Sequence, residues 1–199
     1  MYVDIAVSCF NDAQDAYIEL MSQDNEEPNS RTYELLTMIQ KNCIETITFS
    51  VMALESYINT IAAAFISKKY LDSMEECPLY EKWINVIKKV TGITLTKGDT
   101  PIVGISKNAK LRNKFVHSKS KTVNVNKDGA ARIPCFSVRE VYIDAAYQAL
   151  KNVEVASVWV KTNWPECVLM LYDNDEIQLK EDFLDVDCTW CFMERTVIF

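Results

Sequence analysis

Apolar positions recur along most of the chain at three- and four-residue spacing, over stretches almost free of glycine and proline. That is the pattern of amphipathic helices. Val3 to Met21 is the first such stretch. Ser22 to Ser30, reading SQDNEEPNS, is polar around a single proline and marks a loop. Thr32 to about Tyr70 runs for 39 residues without Pro or Gly, which predicts one long helix or two joined at a bend. Its second half places apolar residues at 51, 54, 58, 61, 62 and 65, a stripe suited to burial. Pro78 is placed to open a shorter helix to Val90, with Gly92 just past its end. Thr100 as an N-cap and Pro101 in the first helical position predict a helix to about His117.

Residues 118–136 form a polar connector, with a hairpin-like turn at Lys127-Asp128-Gly129. Ser137-Val138-Arg139-Glu140 fits a capping box, and the helix it opens runs to about Thr162, ahead of Pro165. Beyond Pro165 the texture changes. Cys167 to Tyr172 is continuously apolar, Asp173-Asn174-Asp175 is a turn, and Ile177 and Leu179 alternate with polar neighbours. The expected fold is therefore all-α: a helical bundle of four to five long helices over residues 1–164. A short acidic β or extended arm over 165–199 packs on the same domain. No internal repeat is present.

Composition narrows the function classes. The chain has 199 residues, 49% of them hydrophobic, which is enough for a real core. No uninterrupted apolar run approaches the roughly 18 residues that span a bilayer. The closest, Ile58 to Ile66, is nine residues long and holds Asn59 and Thr60. The start, Met1-Tyr2-Val3-Asp4, lacks the basic-then-apolar character of a secretory leader. Seven scattered cysteines suit reduced thiols, so a cytoplasmic protein without a membrane partner is expected.

The net charge of −7 argues against non-specific coating of nucleic acid, but the charge is unevenly spread. Thr100 to Lys127 holds seven basic residues, at 107, 110, 112, 114, 119, 121 and 127, and no acid. The other 171 residues carry a net −14, and residues 165–199 alone have nine acidic side chains against two basic ones. One basic segment sits on an acidic body, and the only histidine, His117, lies inside it.

Two apolar stripes carry a charge. Positions 51, 54, 55, 58, 61, 62 and 65 share a face, and 55 is Glu. Ile102, Ile105, Ala109, Arg112 and Val116 share another. A charge on a buried seam is costly unless paired, and the simplest expectation is that Glu55 and Arg112 face each other between two helices. A purely structural pair, or stripe-edge side chains reaching water, fits the same spacing. Asn113 and His117 are four apart and so are neighbours on a helix, whereas Arg112 and His117 point about 140° apart. A distortion near His117, or two copies of the helix meeting in a dimer, would bring them to one site. Imidazole moves protons near neutral pH and guanidinium grips phosphate, a combination suited to phosphodiester cleavage without a metal.

Arg112-Asn-Lys-Phe-Val-His117 resembles the Arg–four-to-six residues–His signature of the HEPN superfamily (higher eukaryotes and prokaryotes nucleotide-binding), including the polar residue after Arg. Ala53-Leu-Glu55-Ser-Tyr-Ile-Asn59 resembles the stretch of the preceding long helix where many of these proteins carry an acid. The resemblance covers Thr32 to about Thr162. It implies a four-to-five-helix bundle pairing as a homodimer, with the two signatures meeting in a cleft. Active members are metal-independent endoribonucleases of toxin or phage-defence systems, and use no cofactor. They cleave by attack of the ribose 2′-OH and leave a 2′,3′-cyclic phosphate, and other relatives are non-catalytic binding modules. Carried over, Arg112 would contact the scissile phosphate, His117 would be the general acid/base, Asn113 would orient the site and Glu55 would hold Arg112. On the same resemblance, Lys110, Lys114, Lys119 and Lys121 would supply the approach for a tRNA or mRNA. An antitoxin protein is a further possible partner, although Lys119 stands where members adenylylated by a nucleotidyltransferase antitoxin often carry Tyr.

Other motifs carry less. Cys188-Thr-Trp-Cys191 is a single CxxC without a second ligand pair, and reads as two thiols. Asp173 to Glu176 lacks the spacing of a calcium loop, and no glycine-rich phosphate loop exists.

Overall fold

The computed structural model describes residues 1–23, 28–116 and 142–164. Six helices occupy them: α1 (Tyr2–Met21), α2 (Ser30–Phe65), α3 (Lys68–Asp72), α4 (Leu79–Thr91), α5 (Thr100–Val116) and α6 (Asp144–Asn163). No strand is present among the described residues, and the architecture is all-α. The connector over 118–136, the Ser137–Glu140 capping box and the C-terminal arm lie outside them. The chain divides into two compact units, Met1–Ala156 and Ser157–Phe199, and the division falls inside α6. Of the second unit, only the end of α6 and Trp164 are described.

The first unit is organised on α2, a rod about 54 Å long at 1.5 Å per residue. Its start is closed by a capping box: the Thr32 N–H donates to Asn29 Oδ1 at 3.0 Å, and the Asn29 N–H donates to Thr32 Oγ1 at 3.3 Å. Arg31 beside it reaches back to the end of α1, with two 2.7 Å contacts to the Glu19 carboxylate. That hydrogen-bonded guanidinium lowers the Glu19 pKa. Further along, Thr46 Oγ1 lies 3.3 Å from the Ala6 carbonyl and the Tyr2 and Phe49 rings stack at 6.3 Å. Residues 19, 6 and 2 thus meet 31, 46 and 49, an antiparallel hairpin. Ala6, Ala13 and Ala16 are small enough to let the two backbones approach, and the buried Phe10 ring lies 6.1 Å from the ring of Tyr147 on α6.

At Ile66 the backbone turns extended, with φ −126° and ψ 143°, so the expected long helix breaks there and resumes as the short α3. By length and average hydropathy α2 is long and apolar enough to cross a membrane, with a mean of 1.2 over 18 residues. Polar residues interrupt the helix, and of these Thr46 and Ser50 are wholly buried in the bundle.

Trp83 ties α4 to α2. The ring is fully buried, its Nε1–H donates to the Leu54 carbonyl at 3.2 Å, and it lies 5.8 Å from the Tyr57 ring. Gly92, at φ +77°, takes the left-handed conformation that ends α4, as its place after the apolar run predicted. Trp83→Ala should cost about 3–5 kcal/mol in urea unfolding, from lost burial and the cavity left behind. Trp83→Phe should cost less, since packing is largely retained. Cys43, wholly buried on α2, has its thiol pushed up to about 12 by burial. Native protein at pH 7.5 should therefore resist alkylation at Cys43 until urea opens the α1–α2 hairpin, as peptide mapping would show.

Candidate functional site

α5 carries the basic segment. It begins at Thr100, and its first turn is closed by the Val103 N–H donating to the Asp99 carbonyl at 2.9 Å. Asp99, rather than the expected Thr100, therefore flanks the helix start. The Asp99 carboxylate turns back to accept the N–H and hydroxyl of Thr96, which folds the loop leading into the helix. Pro101 sits within the first turn, where a missing N–H goes unnoticed.

The buried face of α5 differs from the expected stripe of 102, 105, 109, 112 and 116. Pro101, Ile102, Gly104, Ile105 and Asn108 are buried, Ala109 and Arg112 are half-buried, and Val116 is 49% exposed. Burial fades towards the end of the helix. Its deepest polar residue is Asn108, which spacing alone did not single out. Asn108 Nδ2 donates to the Ala149 carbonyl of α6 at 2.8 Å, and Asn152 Nδ2 donates to Asn108 Oδ1 at 2.7 Å. Gly104, one turn earlier, makes room: a Cβ there would stand 2.9 Å from Asn152 Oδ1. The readable signal was a glycine and an asparagine four apart on one face, a close approach followed by a polar clasp.

Arg112 continues that face, reached by steps of four, three and four from Pro101 through Ile105 and Asn108. Asn113 and Lys114 are exposed beside it. Lys107, Lys110 and Lys114 form an exposed row on the far side, and α5 contains no carboxylate. Lys107, Lys110, Arg112 and Lys114 make no ion pair among the described residues. His117, Lys119 and Lys121 lie outside those residues, as do Cys188 and Cys191. Among the described residues no group of three or more His, Cys, Asp or Glu is placed to hold a metal ion.

Glu55 is not where the stripe placed it. It falls just past the edge of the buried arc of α2 and is exposed, and its ion-pair partner is Lys82 of α4 at 3.9 Å, not Arg112. The cause is the neighbouring Trp83, whose bond to Leu54 carries Lys82 up beside α2. There the buried Lys82 amine also lies 3.4 Å from Asn59 Oδ1. α2 and α5 do pack together, yet no ion pair joins Glu55 to Arg112 among the described residues. Glu55 instead lines a shallow depression of about 470 Å³ with Tyr2, Met52, Ser56, Asn59 and Thr60.

Glu55→Gln should lower unfolding stability by less than about 1 kcal/mol, since the carboxylate is half exposed and its pairing distance long. A loss above about 2 kcal/mol by urea titration would instead mark Glu55 as holding a desolvated charge. Compared with known proteins, the chain matches no family model, no curated protein and no solved structure.

Proposed function

We propose that the chain is a metal-independent endoribonuclease of the HEPN kind, with Arg112 gripping the scissile phosphate and His117 moving the proton. The observation that supports this most is the division of labour on α5. One face is packed, Arg112 stands half-buried near its end, and three lysines that pair with no carboxylate among the described residues are exposed on the other side. A half-buried guanidinium keeps its fork oriented while leaving it open to a phosphate oxygen. The exposed row offers a path for a polyanion on an otherwise acidic protein. Lys119 and Lys121, following His117 in the sequence, extend the same basic segment.

In this reading the ribose 2′-OH attacks phosphorus and its proton passes to a base. Arg112 balances the charge that gathers on the phosphoryl oxygens, and the 5′-oxygen leaves as it takes a proton. His117 is the proton carrier, and Asn113, exposed on the next position, orients a phosphate or ribose oxygen. Pairing of two copies would let Arg112 of one protomer work with the imidazole of the other. Glu55 has no part in holding Arg112 in this scheme.

The engagement of Glu55 by Lys82 favours a second reading, a non-catalytic helical module that binds RNA, a nucleotide or a protein through α5. Incubation with tRNA in EDTA separates the two. The nuclease reading expects cut RNA with 2′,3′-cyclic phosphate ends, and a loss of at least about 100-fold in rate for His117→Ala with the helical circular dichroism signal unchanged. Bound but intact RNA, with affinity lowered by Lys110→Ala or Lys114→Ala, would replace it with the module.

A further inference from the structure

The face of α5 that carries Arg112 also carries the polar clasp to α6. Arg112 stands one turn beyond Asn108, and Phe115, near the end of the helix, lies 5.6 Å ring to ring from Tyr142. Gly104 meets Asn152, Asn108 meets Ala149, and Phe115 meets Tyr142, so the two segments run antiparallel. Arg112 is thus bracketed by two anchored points, one turn before it and three residues after. The clasp is directional. Asn108 accepts through Oδ1 and donates through Nδ2, and a flipped amide would set carbonyl against carbonyl and NH2 against NH2. Asn108 is wholly buried, so neither bond has water as a substitute. An apolar seam of equal volume would hold α5 against α6 without fixing its axial position so narrowly.

We infer that Asn108 and Asn152 are positioning residues: their clasp across Gly104 sets the height and rotation of Arg112 at the phosphate-binding end of α5. The inference rests on the reading of Arg112 as a phosphate contact. Neither asparagine touches RNA. They act through the helix, and a shift of about 1 Å in a phosphate-gripping group is enough to slow catalysis up to about 100-fold.

Asn152→Ala and Asn108→Asp test this, each compared with the wild-type protein well below its melting temperature. Asn152→Ala should lower kcat for RNA cleavage about tenfold or more. KM, governed by the exposed lysines, should change less than about threefold. In Asn108→Asp the new carboxyl fits the clasp only when protonated, because its O–H then donates where the amide did. Burial raises the pKa of such a carboxyl. The ratio of variant to wild-type kcat should therefore rise as pH falls from 8 to 5. Arg112 modification by phenylglyoxal, mapped by mass spectrometry, gives a readout that needs no turnover. It should increase several-fold at pH 8 in both variants.

If the wild-type protein leaves RNA intact, the nuclease reading fails, and the phenylglyoxal measurement alone judges the clasp. If Asn108→Asp does not fold at pH 8, Asn152→Ala, at a half-buried position, carries the comparison. Unchanged Arg112 reactivity in the folded variants overturns the inference. So does a fall in activity that only tracks the folded fraction.

Discussion

A buried amide has to be satisfied by the protein itself, and that requirement fixes how α5 lies on α6. Asn108 is closed to water and answers only to Ala149 and Asn152, and the approach that lets it do so exists because residue 104 has no side chain. The basic face of α5 inherits its orientation from this contact: once one side of the helix is fixed, Lys107, Lys110 and Lys114 are aimed outward. Trp83 plays the corresponding part for α4. A single indole bond to the Leu54 carbonyl selects where α4 meets α2, and with it which side chain pairs with Glu55.

Much of the fold was legible from periodicity. The helix starting near Tyr2, the left-handed stop at Gly92 and the all-α class followed from spacing, because each depends on residues close in sequence. The break at Ile66 was readable only as an alternative, since no Pro or Gly marks it and an extended β-branched residue ends the helix instead. Helix ends set by a neighbour's carbonyl, as at Asp99, were missed because the sequence shows an attractive cap one residue later.

The site was legible in part. That α5 would be basic and carry Arg112 on its packed side was visible in charge counts and helical steps, while the fading of burial that leaves Arg112 half-buried was not. The partner of Glu55 was not, because spacing gives a helical direction and not the identity of what arrives there. Lys82 reaches Glu55 through the anchoring of Trp83 one residue on, a tertiary consequence with no local signature. Asn108 went unnoticed for the opposite reason: a lone asparagine in a basic helix reads as surface until a second helix supplies Asn152 and Ala149.

The lysine row, which meets no carboxylate among the described residues, carries a physical consequence for α5 itself. Lys110 and Lys114 are four apart and Lys107 and Lys110 three apart, so each pair repels along the helix axis, by a few tenths of a kcal/mol. Dissolved ions shorten the reach of that repulsion, while they weaken the attraction of Arg31 for Glu19 across the α1–α2 turn. Raising the ionic strength therefore acts on these two places in opposite directions, firming the basic helix and loosening the hairpin.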